Sequence, residues 1–179
     1  MFKSRKLLIA CLLLLIFSMV GCNNSVKNEE PVVSEEEESV VFTGSEGDWE
    51  MNLPSSFEML SEEIVEDQDW TITYFKGENG LQFNIGQMIN SEMEVSEAAL
   101  LEELEEEHYF HILRTESIKL ADGTFYGVLI EDEELDLDFL YYKMKKDNKI
   151  VTFVIYQDKP FTLEEEVKIK AILSTFKAI

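Results

Sequence analysis

Apolar and polar side chains alternate from Trp49 to Leu53, with Trp49, Met51 and Leu53 set against Glu50 and Asn52, the period of a half-buried strand. Pro54, Ser55 and Ser56 end it. The alternation resumes with Trp70, Ile72 and Tyr74 against Thr71, Thr73 and Phe75, and Leu81, Phe83 and Ile85 lead back after Asn79-Gly80. That pair supplies the positive backbone angles of a tight turn, so the two runs are expected to form an antiparallel hairpin. The period then changes. Val95, Ser96 and Leu100 predict a helix capped by Ser96, with Val95 stapled onto Leu100, and Leu100, Leu101 and Leu104 form its buried stripe to about His108.

Strand patterns dominate from Ile112 onward. Ile112 to Leu120 is followed by a turn at Ala121-Asp122-Gly123 and by Thr124 to Ile130, where Phe125, Val128, Leu129 and Ile130 place apolar groups on both faces. A strand covered on both sides is expected to be central. Leu137 to Met144 and Ile150 to Tyr156 predict a further hairpin around Lys146, Asp147 and Asn148. Pro160 and Phe161 then break the strand, Thr162 and Glu165 form a capping box, and Ile169, Ile172, Leu173 and Phe176 fall on one helical face. The fold class expected is α+β, one antiparallel sheet of six or seven strands with helices packed on it.

The order of these elements carries a resemblance. A strand ending Trp49-Glu50-Met51-Asn52-Leu53-Pro54-Ser55-Ser56-Phe57, a hairpin, a mid-chain helix, a run of antiparallel strands and a closing helix with Ile172-Leu173-Ser174-Thr175-Phe176 resemble the PsbP-like and DcrB-like superfamily over about residues 41–179. The resemblance implies an α/β/α sandwich and a binding or assembly role. It brings no catalytic motif to place on residues of this chain.

The first forty residues follow different patterns. Lys3, Arg5 and Lys6 precede an apolar run from Leu7 to Val20 that is fourteen residues long, too short for the roughly 20 of a spanning helix and typical of a secretory signal. Met19-Val20-Gly21-Cys22 resembles the lipobox of bacterial lipoproteins, which implies cleavage before Cys22 and a diacylglyceryl group on its sulfur. Asn23 to about Val40, with Glu35 to Glu38 in succession, offers little to bury and reads as an extended acidic tether. The expected divisions are residues 1–21 as signal peptide, 22–40 as lipidated cysteine and tether, and 41–179 as a single domain.

Charge and composition narrow the function. Of the 15 basic residues three lie in the leader, leaving 12 against 37 acidic residues and a formal charge of −25 on the mature chain. Nucleic acid is therefore an unsuitable partner, since a phosphate backbone is bound by Lys and Arg that displace its counterions. Cys11 leaves with the signal and Cys22 is expected to carry lipid, so no thiol remains for a disulfide or a thiolate metal site.

Candidate chemistry is sparse. The eight glycines are dispersed and no phosphate-binding loop is present. His108 and His111, three apart beside Glu107, would share one face of a helix, but they fall at its end among Tyr109, Phe110 and Ile112 and are read as boundary residues without a metal. Glu102, Glu103, Glu105, Glu106 and Glu107 are expected to form a solvated helix face, and Glu131 to Glu134 with Asp136 and Asp138 a solvated strand connection that lacks the ligand pattern of a calcium loop. The reading is a non-enzymatic binding or assembly module of the cell envelope, without cofactor. It is anchored to the membrane through lipid on Cys22, faces outside the cytoplasm, and serves an envelope protein or small ligand. The alternative is a surface hydrolase using paired carboxylates or a histidine-bound metal.

Overall fold

A computed structural model describes residues 38–44, 47, 49–65, 70–89, 92–105 and 109–179, all within the unit Glu36–Ile179. Cys22, the leader, most of the tether and His108 lie outside the described residues. The elements are β1 (Ser39–Thr43), β2 (Trp49–Pro54), β3 (Glu58–Val65), β4 (Trp70–Lys76), β5 (Gln82–Ile89), α1 (Glu97–Glu105), β6 (Phe110–Lys119), β7 (Thr124–Asp132), β8 (Leu137–Lys146), β9 (Lys149–Gln157), α2 (Leu163–Leu173) and β10 (Lys177–Ala178).

Seven strands form one antiparallel sheet in the order β3-β4-β5-β9-β8-β7-β6, and β1, β2 and β10 form a separate sheet in the order β1-β2-β10. The α+β class and the strand number agree with the sequence expectation. Three details differ. The Trp49 strand belongs to the small sheet and not to the large one, because Trp49, Met51 and Leu53 point into the core as part of a second layer. The strand at Thr124 is one in from the edge, and the centre is β9, which joins the meander β3-β4-β5 to the meander β6-β7-β8-β9 by pairing Phe83 with Ile155. The closing helix ends at Leu173, so Phe176 reaches the core from the turn that follows. β1 takes in Ser39 and Val40, which pair with Pro54 and Leu53.

The main core lies between one face of the large sheet and the layer made by the small sheet and α2. Phe153 on the central strand packs edge-on against Phe83, Phe125 and Phe176, with centroids 5.5, 5.1 and 5.8 Å away, the arrangement aromatic quadrupoles favour. An ionic cluster pins α2 at one side. Arg114 donates to Glu166, Lys170 Nζ lies 2.6 Å from Glu116 Oε2, and the Tyr142 hydroxyl donates to Glu116. Both edge strands carry a bulge, near Leu60 in β3 and at Leu113 in β6, and β3 adds Glu58, Glu62 and Glu63, features that discourage edge-to-edge association.

The capping box of α2 forms as expected, with Thr162 Oγ1 accepting from the Glu165 N–H at 3.2 Å and Glu165 Oε2 accepting from the Thr162 N–H at 2.9 Å. Burial raises the Glu165 pKa, but donors on Lys159, Thr162 and Gln157 overcome that and hold it at about 2. The native state then binds fewer protons than the unfolded chain, so this contribution is present above the ordinary carboxyl range and is lost as pH falls toward about 2. The urea midpoint of Glu165→Gln should lie below that of the unmutated protein at neutral pH, and the gap should narrow in acid. A gap that stays constant would contradict the assignment.

Candidate functional site

The second face of the large sheet is covered unevenly. Helix α1, capped by Ser96 Oγ accepting from the Ala99 N–H at 3.2 Å, buries Leu100 and Leu104 against β6 and β7 and reaches β8 through Glu103. Beyond it, β9, β5 and β4 present a row of side chains set by register. Trp70 lies opposite Met88, Ile72 opposite Gly86, which faces Thr152, and Tyr74 opposite Asn84, which faces Val154. Tyr156 lies opposite Gln82 on the same face.

Gly86 has a specific reason to be glycine. A Cβ there would stand 2.7 Å from Trp70 Nε1 and 3.1 Å from Cε2 and Cζ2, so only a bare backbone lets that edge of the indole settle on the strand. Two polar atoms of this row are buried without a hydrogen-bond partner among the described residues, Trp70 Nε1 and Asn84 Oδ1. Asn84 is 3% exposed. Its side chain acts on the Tyr156 hydroxyl: burial pushes that hydroxyl's pKa up, Asn84 draws it part of the way back, and Asp158 adds to the rise. Tyr74 donates to Glu63 at 3.3 Å, and burial followed by the Glu63 charge raises its pKa. An unpaired buried donor or acceptor costs about 1–3 kcal/mol, so the row carries two polar groups that work against folding.

The boundary with α1 is an ion pair in a nearly dry setting. The Lys143 side chain is 7% exposed, its Nζ lies 2.6 Å from Glu103 Oε2 and 5.5 Å from the centroid of the Tyr141 ring, and the Tyr141 hydroxyl donates to Glu103 Oε1 at 3.3 Å. Burial lowers the Lys143 pKa, but Tyr141 and Glu103 together hold it above its ordinary value, while burial pushes Tyr141 up to about 12. Lys143 therefore stays charged and lacks the depressed pKa of a nucleophilic lysine. Lys145 Nζ donates to the Met93 carbonyl at 2.9 Å and fixes the segment leading into α1.

The residues singled out in the sequence do not converge here. His111 is exposed on β6 opposite Glu131, and His108, Glu106, Glu107 and Cys22 lie outside the described residues. Among the described residues no group of three or more His, Cys, Asp or Glu is placed to hold a metal ion. Glu102 and Glu105 are exposed as expected, but Glu103 is not part of a solvated face: it is the counterion of Lys143. In the second acidic run Glu131, Glu133, Glu134 and Asp136 are exposed, whereas Asp132 is buried and its Oδ1 accepts from the Glu134 and Leu135 N–H groups at 2.9 Å each. Asp138 has a raised pKa through burial, with Glu131 and Asp136 adding to it. The row on β4, β5 and β9 was missed, although an Asn and a Gly inside the apolar run Phe83-Asn84-Ile85-Gly86 signal a polar contact and a close approach.

No protein-family model matches the sequence, and no curated protein matches it significantly. Among solved structures the fold is similar to the solution structure of the cyanobacterial PsbP, CyanoP, from Synechocystis sp. PCC 6803, with a TM-score of 0.54 over 89% of this chain and 99% of that one at 8% sequence identity. It is also similar to the Ran-binding protein Mog1p of Saccharomyces cerevisiae, with a TM-score of 0.48 over 80% and 96% of the two chains at 12% identity. At 8% identity the likeness to the cyanobacterial PsbP is one of fold alone: the fold is PsbP-like.

Proposed function

We propose that the chain is a non-enzymatic binding module of the cell envelope, anchored outside the cytoplasm by lipid on Cys22, which offers the β4-β5-β9 face to its ligand. The observation that carries the binding half is the half-buried aromatic row Trp70, Tyr74 and Tyr156 beside two buried polar atoms without partners among the described residues, on the face of β4, β5 and β9 that looks away from the main core. Binding sites are mostly apolar with a few placed polar groups, which is the character of this row. The anchoring half is supported by the leader pattern and by Met19-Val20-Gly21-Cys22. Two acyl chains, at roughly 0.8 kcal/mol per buried CH₂, hold a protein to a bilayer where one does not.

One experiment reads both halves. A photoreactive benzoylphenylalanine is placed at Met88 on the rim of the row or, as control, at the exposed Val167 on α2, and the irradiated protein is recovered from membranes for mass spectrometry. The expected result is an N-terminal, lipid-modified Cys22 in both samples and a covalent adduct from position 88 alone. An unmodified N-terminus elsewhere overturns the anchor, and equal labelling from both positions overturns the binding face.

A further inference from the structure

The free edge of the large sheet carries a charge pattern of its own, separate from the β4-β5-β9 face. We infer that β3 takes an antiparallel strand from a cationic partner protein along Ser61–Val65, with apolar residues opposite Ile64 and Val65 and basic residues opposite Glu62 and Glu63. β3 ends the strand order, so among the described residues no strand lies on its outer side. The edge is open: every residue from Glu58 to Ile64 is exposed, Ile64 at 67%. Its pairing with β4 shifts register between Met59 and Ser61 and is regular from Ser61 to Val65, so that length is straight enough to accept a further strand. An edge of this kind presents backbone N–H and C=O groups to another chain, and side chains on the added strand then decide which chain is accepted.

The choice is made by Glu62 and Glu63. Glu62 lies opposite Thr73 and Glu63 opposite Ile72, so neither faces a cation across the ladder, and the Thr73 and Tyr74 hydroxyls that donate to them at 3.3 Å carry no charge. Glu58, by contrast, lies opposite Lys76. Lysine or arginine on an added strand supplies the missing opposite charge, whereas like charges directly opposite one another are destabilising. A second copy would bring the same glutamates together on a chain with 37 acidic and 15 basic residues. The glutamates that keep copies apart therefore act as a charge filter and leave the edge open to a cationic strand. The other edges lack this combination. β1 exposes Val40 and Val41, but Ser39–Thr43 contains no charge to select a partner. β6 is already engaged, with Arg114 and Glu116 tied to α2 and Thr115 donating to Glu97 of α1 at 2.9 Å.

Three peptides test the edge against the full chain, labelled with ¹⁵N and held in a nonionic detergent. They are acetyl-Thr-Val-Val-Lys-Lys-Thr amide, its counterpart with Glu in place of Lys, and the basic peptide methylated on its backbone nitrogens. The basic peptide should shift the amide signals of Ser61–Val65 saturably, and the other two should not. Glu62→Gln combined with Glu63→Gln should weaken the basic peptide about tenfold, the combined effect of two cross-strand ion pairs. Glu62→Lys combined with Glu63→Lys should reverse the preference, so that the acidic peptide binds and the basic one does not. Both side chains are exposed, so each double variant should melt within about 2 °C of the unmutated protein, and a loss of binding is then not a loss of folding. Equal binding of the methylated peptide overturns strand addition. An unreversed preference in the lysine variant, shifts confined to other strands, or no shift at all overturns the site. Shifts at Ser61–Val65 that grow with protein concentration in the absence of peptide make a second copy the occupant and overturn the cationic partner. The crosslink from position 88 judges the β4-β5-β9 face independently of all these results.

Discussion

Deleting Thr162–Ile179 is expected to unfold the domain. The deletion takes Ile169, Ile172, Leu173 and Phe176 out of the main core, all four buried. Each contributes about 1.5–3 kcal/mol by its burial, and the total stability of a domain is about 5–15 kcal/mol. The loss does not stop at apolar area. Phe176 packs on Trp49, Phe125 and Phe153, so its removal opens the layer between the two sheets. Glu116 loses Lys170, Arg114 loses Glu166, and β2 loses its pairing to β10. Circular dichroism during heating or a urea titration checks the outcome. A truncated protein that keeps a cooperative transition near the full-length midpoint would show that α2 is an accessory to this core and not part of it.

The second large effect is expected from Glu103→Leu. The substitution leaves the Lys143 ammonium in a site that is 7% exposed, with no carboxylate to meet it. Removing one partner of a buried pair costs about 3–5 kcal/mol, whereas replacing both partners with apolar groups is often close to neutral. Glu103→Leu combined with Lys143→Met should therefore recover most of the lost stability. A pH series adds an independent signature. In the single variant the Glu103 carboxylate no longer offsets burial and only Tyr141 opposes it, so the native pKa of Lys143 is expected to fall below the unfolded value, and the unfolded chain then binds the extra proton between the two. The stability of Glu103→Leu should thus rise as the solution is made alkaline. In the unmutated protein the Lys143 pKa is raised and Tyr141 is pushed up to about 12, so stability should fall over the same alkaline range. A double variant no better than the single one would refute the pairing.

Where a local signal and the tertiary structure agreed, the sequence was legible to the residue. Asn79 and Gly80 have φ of 57° and 83°, the values their turn required, and Thr162 with Glu165 closes a reciprocal cap. Three features were hidden for physical reasons. β3 shows no alternation because almost every residue from Glu58 to Ile64 is exposed at an edge, so burial never imprinted a period on it. β10 is two residues long and is held by Lys177 and Ala178 pairing with Glu50 and Trp49, a long-range decision without a local trace. Glu103 looked like its glutamate neighbours because the ion that distinguishes it, Lys143, lies far along the chain on a strand whose position relative to α1 no pattern announces. The candidate face left only a partial trace, Asn84 and Gly86 inside an apolar run, for a related reason. Trp70, Asn84, Gly86 and Tyr156 come from three strands, and only the pairing of β5 with β9 brings the last of them beside the others.

That pairing also governs how quickly the molecule can acquire its shape. Each meander is built from neighbours in sequence and can form early, but the strand that joins them, β9, is nearly the last to be made, and Lys177 must still reach Glu50 to complete the smaller sheet. Folding slows as contacts become more distant along the chain, because the entropy of closing long loops is lost before the contacts are gained. A newly made copy consequently spends a comparatively long interval as two unjoined halves, each with an open strand edge and an unshared apolar face. This sets the stage at which the chain is most vulnerable to aggregation and proteolysis, and it is also the stage at which the chain is easiest to thread.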